Sequence, residues 1–94
     1  MADLTGLDVQ VSPTDVRLFD GVLAPGYSHL NDATLSAINQ TAQLDGLLLD
    51  PVYTGKAMVG TLALAKTKRL AGRRVLFWHT GGTPALFAYA DKLA

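Results

Sequence analysis

Apolar positions in this chain follow two periods, and the switches between them mark the elements. Residues 1 to 13 show weak periodicity and close at Ser12-Pro13, as the frayed end of an earlier element would. Val16-Arg17-Leu18-Phe19 alternates weakly and predicts a short strand, with Asp20-Gly21 as its turn. Ala24 to Leu30 contains a Pro-Gly pair and predicts a loop. Asn31 or Asp32 then suits an N-cap. Leu35, Ile38 and Ala42 recur at helical spacing, which predicts an amphipathic helix to about Leu44, ended by Asp45-Gly46.

Gly46-Leu47-Leu48-Leu49 is a short apolar run closed by Asp50-Pro51 and predicts a buried strand. A second helix is expected from about Gly55 to Arg69. Met58, Thr61, Leu62 and Ala65 share one face, and Val59, Ala63 and Leu64 make the other sides apolar, so burial on more than one side is expected. Lys66, Lys68 and Arg69 would sit at its carboxyl end, where they suit the helix dipole, with Gly72 as breaker. Arg74 to Trp78 is a second bulky apolar run and predicts another strand. Thr83-Pro84 opens a last helix over 85–90.

Strand, helix, strand from Gly46 to Trp78 predicts an α/β fold: a partial parallel sheet built on one right-handed βαβ unit. In such sheets ligands bind beyond the carboxyl ends of the strands. Two loops land there: Asp50 to Lys56, and His79-Thr80-Gly81-Gly82.

Composition narrows the chemistry. Ninety-four residues make one small domain, and 49% hydrophobic residues set the chain apart from a disordered tail. Eight basic and eight acidic side chains cancel, so there is no basic field for nucleic acid or an anionic membrane. Without cysteine there is neither a disulfide framework nor thiolate chemistry, which fits a cytoplasmic protein. Met1-Ala2-Asp3-Leu4 lacks the basic start of a signal peptide, and no apolar run is long enough to span a bilayer.

Each candidate residue has a plain reading beside a chemical one. Thr80-Gly81-Gly82, between strand and helix, can present backbone N–H groups to an anion or serve as a tight turn without ligand. Gly55-Lys56 has the end of a P-loop without its upstream glycine and with Ala57 in place of Ser or Thr, so that reading is rejected. Tyr53 can stack on a flat ring or move a proton, or pack half-buried on the helix. His29 and His79 have no acidic or cysteine neighbours at ligand spacing, and no metal site is expected. His79 reads as a hydrogen-bonded residue at a strand end. Phe77 and Trp78 read as core.

Three segments carry a joint resemblance. Leu47 to Met58, Leu76 to Tyr89, and Ala24-Pro25-Gly26-Tyr27 followed by Asn31 together resemble the C-terminal part of the D-cysteine desulfhydrase and 1-aminocyclopropane-1-carboxylate deaminase family. The match covers roughly residues 4 to 90. These are pyridoxal 5′-phosphate (PLP) enzymes of the tryptophan synthase β-like type, known as fold type II. The resemblance implies that Tyr53 stacks near the cofactor ring and that Tyr27 lies close to a small amino-acid substrate. It places Thr80 at the pyridine nitrogen, with Gly81 beside it in the cofactor loop. Thr54 stands where the deaminases carry a glutamate near that nitrogen. A neutral hydroxyl there makes a weaker electron sink than a carboxylate, which suits β-elimination to pyruvate, ammonia and sulfide more than ring opening. After Tyr27 the chain reads Ser28-His29-Leu30 where the family continues with glycine and then proline, a departure that bears on the substrate role of Tyr27.

The family's Schiff-base lysine lies far upstream of these segments. Lys56, Lys66, Lys68 and Lys92 do not match it. The resemblance therefore implies a single incomplete α/β domain over residues 1–94, a C-terminal fragment inactive alone. It would depend on an N-terminal half or self-associate, as family members form homodimers, and PLP binding by the fragment alone is not expected. The alternatives are 1-aminocyclopropane-1-carboxylate deaminase chemistry, or a non-catalytic remnant or anion-binding module.

Overall fold

The computed structural model describes residues 2–19 and 31–93. The expected turn at Asp20-Gly21 and the loop bearing Tyr27 and His29 lie outside the described residues. Helix α1 spans Ala2–Thr5, a single 3-10 turn spans Pro13–Asp15, and α2 spans Asp32–Asp45. Then follow α3 (Thr54–Ala65), α4 (Ala85–Ala88) and α5 (Ala90–Leu93). The 3-10 turn is held by a capping box: Ser12 Oγ accepts from the Thr14 amide, and Asp15 accepts from the Ser12 amide.

Asn31 caps α2, its Oδ1 accepting from the Thr34 amide at 2.8 Å and the Thr34 hydroxyl at 2.7 Å. Gly46 ends the helix in the left-handed region at φ 68°, a conformation that costs glycine little. The buried stripe is Thr34, Ala37, Ile38 and Thr41, turned from the expected Leu35–Ile38–Ala42 line. Threonine can be buried there because its hydroxyl is satisfied inside the helix: Thr41 Oγ1 donates to the Ala37 carbonyl at 2.9 Å.

Helix α3 is shorter than the expected Gly55–Arg69. Thr67 ends it early, since both its amide and its hydroxyl bond to the Leu64 carbonyl, at 3.0 and 2.6 Å. Lys66, Lys68 and Arg69 consequently lie beyond the last helical turn. Burial is concentrated in the first half of the helix, at Thr54, Gly55, Lys56, Met58 and Gly60, whereas Ala63 and Ala65 are exposed. Helices α2 and α3 pack directly together. Gly55 permits it, because a Cβ there would meet Thr34 Cγ2 at 3.0 Å and Ile38 Cγ1 at 3.1 Å. The core is Ala37, Ile38, Leu49 and Met58, with Val59, Leu62, Phe77 and Leu93 packed against it.

The expected α/β fold with a partial parallel sheet and βαβ unit is not present: the described residues contain helices and no strand. A strand exists through its ladder, and neither apolar run has one. The Leu47 amide turns back to the Thr41 carbonyl at 3.3 Å, and the Asp50 amide is taken by Thr54 Oγ1 at 2.8 Å. No backbone hydrogen bond joins 46–50 to 74–82. Nor are both faces covered: Leu49 is buried while Leu47 and Leu48 are exposed, and Leu76 is 81% exposed. Val16–Phe19 is likewise not a strand. The last helix divides at Tyr89 into α4 and α5.

Candidate functional site

Although the described residues form no sheet, the two loops expected at one end of it do meet. The joint is Asp50, fully buried at the start of the first loop. Its Oδ2 accepts from the amides of Val52 at 2.8 Å and Tyr53 at 2.7 Å. Its Oδ1 accepts from the Thr54 amide at 2.9 Å and the Thr54 hydroxyl at 2.6 Å. The carboxylate thus occupies the amino end of α3, where N–H groups lack helical partners and the dipole favours negative charge. Burial alone would raise the Asp50 pKa. The bonds from the Thr54 hydroxyl and from the Thr54, Tyr53 and Val52 amides outweigh it and hold the carboxyl below the ordinary aspartate range.

The second loop closes on the same carboxylate. A Cβ on Gly82 would stand 2.6 Å from Asp50 Oδ1 and 2.8 Å from its Cγ, so only glycine fits. Gly81 and Gly82 both have positive φ, 105° and 88°. His79 makes the second tie. Its Nδ1 accepts from the Gly81 amide at 3.1 Å, which places the ring proton on Nε2, 2.9 Å from the Leu48 carbonyl. His79 is hydrogen-bonded, as its position in the sequence suggested.

Between the loops lies a cleft of about 340 Å³. Val52, Tyr53, Thr54 and Lys56 line it from the first loop, Trp78 and Thr80 from the second. Three sequence-predicted residues, Tyr53, Thr54 and Thr80, therefore share one cleft. Their states differ. Tyr53 is 57% exposed. The Thr54 hydroxyl is committed to Asp50 as both donor and acceptor. Thr80 is exposed, and among the described residues its hydroxyl makes no hydrogen bond. Gly81 does not line the cleft, and its amide is already donated to His79.

Sequence reasoning missed several participants, Phe19 of the N-terminal segment and Ala57 of α3 among them. Trp78, expected in the core, is 77% exposed and forms a wall of the cleft; Phe77 alone packs on the core. Lys56, only 5% exposed, is a buried member of the lining. Asp50 was read only as the close of a strand. Its signal was legible: Asp-Pro-Val-Tyr-Thr puts an acceptor and a hydroxyl four residues apart at a helix start. Among the described residues no group of three metal-ligating side chains gathers, and no helix is long and apolar enough to cross a membrane.

The relatives that this chain resembles are longer proteins. The chain is homologous to part of the D-cysteine desulfhydrases. It is 51% identical to the D-cysteine desulfhydrase of Yersinia enterocolitica over 90 residues, covering 95% of this chain and 27% of that protein. It is 51% identical to the Klebsiella pneumoniae desulfhydrase over 80 residues, 84% of this chain and 24% of that protein. It is 53% identical to the Salmonella newport desulfhydrase over 76 residues, 80% and 23% of the respective chains. The chain thus spans about a quarter of the length of the curated relatives it matches. No protein-family model matches it.

Proposed function

We propose that this chain supplies one wall of a PLP site for D-cysteine desulfhydrase-like β-elimination and does not turn over substrate by itself. The observation that carries the reading is the single cleft shared by Tyr53, Thr54 and Thr80, in a chain half identical to desulfhydrases.

The residues present fit the cofactor. The exposed Tyr53 ring offers a flat apolar face for a pyridine ring. The Thr80 hydroxyl, unbonded within the described residues, is available to hydrogen-bond the ring nitrogen. Thr54 is nearly fully buried and acts through Asp50, to which its one proton goes. With a neutral hydroxyl at position 54 in place of a carboxylate, the reading favours elimination over more demanding chemistry. Gly81 holds the turn through its bond to His79, and Tyr27 is assigned to the substrate side. When bound, PLP supplies the electron sink for loss of the β-substituent from a small D-amino acid. The lysine that anchors the cofactor is assigned to a complementing polypeptide, because the buried Lys56 belongs to the Tyr-Thr-Gly-Lys segment.

The test is a chimera. The matching 90 residues of the Yersinia enterocolitica desulfhydrase are replaced by those of this chain, and pyruvate release from D-cysteine is followed. Activity is expected, reduced at least about ten-fold by Thr80→Val. This chain alone, treated with PLP and borohydride, is expected to give no fixed adduct on one lysine. An inactive chimera that folds and binds PLP would refute the desulfhydrase reading.

A further inference from the structure

Two loops supply most of the cleft lining, with Phe19 and Ala57 completing it, and one buried side chain touches both loops. From this juxtaposition we infer that Asp50 is a positioning residue: it sets the separation between the Tyr53 side of the cleft and the Thr80 side. The inference rests on the PLP reading for its consequence in binding. Its geometry stands on the structure alone.

On the first loop, Asp50 fixes three successive amides, Val52, Tyr53 and Thr54, and the Thr54 hydroxyl. The Thr54 hydroxyl returns a second link by accepting from the Asp50 amide. The Gly55 amide adds a third, to the Asp50 carbonyl at 2.7 Å. The backbone that carries Tyr53 therefore has little freedom to turn without breaking bonds to one carboxylate. On the second loop, Gly82 rests on the same carboxylate at a separation that excludes even a methyl group. Thr80 is two residues away. A shift of the carboxylate moves the Tyr53 backbone through hydrogen bonds and the Thr80 turn through contact.

Asparagine at position 50 is nearly isosteric but presents an NH2 group where one oxygen accepts two donors. Two bonds are lost and donors are set against donors. Gly82→Ala disturbs the same joint from the other side and leaves the bonds of Asp50 to residues 52–54 in place. Both variants are expected to move the loops apart. A core variant such as Ile38→Val removes one terminal methyl and lowers stability, while the hydrogen bonds of Asp50 and its contact with Gly82 stay in place.

The experiment has two arms. In the isotope-labelled 94-residue chain, nuclear Overhauser contacts between the Tyr53 and Trp78 rings and the Thr80 methyl are compared among wild type, Asp50→Asn, Gly82→Ala and Ile38→Val. Weakened contacts in the first two variants and unchanged ones in Ile38→Val are expected. Unchanged contacts in folded Asp50→Asn, or equal weakening in Ile38→Val, would overturn the inference. In the chimera, the apparent Kd for PLP, read from the cofactor's absorbance, is expected to rise about ten-fold in both loop variants and to stay level in Ile38→Val. Unchanged affinity in the two loop variants would overturn the positioning role. A wild-type chimera that binds no PLP would instead sink the functional reading, and the first arm would still decide the geometry.

Discussion

The imidazole Nε2 of His79 donates to the carbonyl of Leu48 at 2.9 Å, joining segments 31 residues apart in sequence. This bond stands where a ladder between the two apolar runs was expected, and it brings Thr80 to the side of the chain that carries Tyr53. His79→Ala removes it and also frees the Gly81 amide. Both bonds are exposed, so the expected loss of stability is about 1 kcal/mol in urea denaturation. His79→Gln, able to donate to Leu48, is expected to lose less. Equal losses in the two variants would show that the ring's packing, and not its bond, joins the segments.

Glycine pairs seldom require glycine twice, and this loop separates the two roles. Gly81→Ala strains only the backbone, since nothing lies within 4 Å of its Cβ position. A cost of about 1 kcal/mol is expected. Gly82→Ala adds a clash with the Asp50 carboxylate and is expected to cost at least about 2 kcal/mol. Thermal unfolding of the two variants gives the order. The reverse order would mean that the loop relaxes away from Asp50 freely.

Much of the site was legible in the sequence, and less of the fold. Asn31 and Gly46 announce the ends of α2 because capping is local chemistry, readable from single residues. The two loops were brought together correctly because each follows an apolar run that seeks the same core, through Leu49 and Phe77. The strands were not legible as absent. A run such as Val75-Leu76-Phe77 specifies extended backbone, but pairing depends on a neighbour that the run does not encode. The early stop of α3 was hidden for another reason. Thr67 ends the helix by bonding the Leu64 carbonyl, and a lone threonine in a Lys-Thr-Lys stretch reads as solvated surface.

Acid should act on the joint through Asp50. Its folded pKa lies below the ordinary aspartate value of 3.8, with burial opposed and outweighed by its hydrogen bonds. A depressed folded pKa contributes stability that is complete above the unfolded value and lost as pH falls through the folded one. Stability measured from about pH 5 to pH 2 is therefore expected to fall in wild type. Asp50→Asn should start lower and show a shallower fall over the same range. A parallel fall in both proteins would assign the acid sensitivity to the other carboxylates.

Leu49 is the largest fully buried side chain among the described residues, and it sits immediately before Asp50. Leu49→Ala removes core contact under both loops, and about 3 kcal/mol is expected by denaturation. In a 94-residue chain with a core this small, that is a large share of total stability. Partial unfolding at room temperature, seen as broadened amide resonances, is the expected result. A fully cooperative variant would show that α2 and α3 hold together without the segment that carries the site.

The apolar side chains left outside that core predict association. Leu47, Leu48, Val75, Leu76, Trp78 and Phe87 are all exposed, and the backbone at 74–78 among them makes no backbone hydrogen bond to the other described residues. Exposed apolar surface together with unpaired N–H and C=O groups is a template for another chain. Formal charge cancels at neutral pH, so repulsion between copies is weak. Sedimentation of the wild-type chain is expected to show concentration-dependent self-association. Leu76→Glu and Phe87→Glu lie outside the cleft lining and should shift the chain toward monomer with its helical circular dichroism retained. If the wild-type chain sediments as a monomer at high protein concentration, the exposed surface does not drive association. If the glutamate variants lose their helices, the same side chains hold the fold together and the assignment of an outward-facing surface fails.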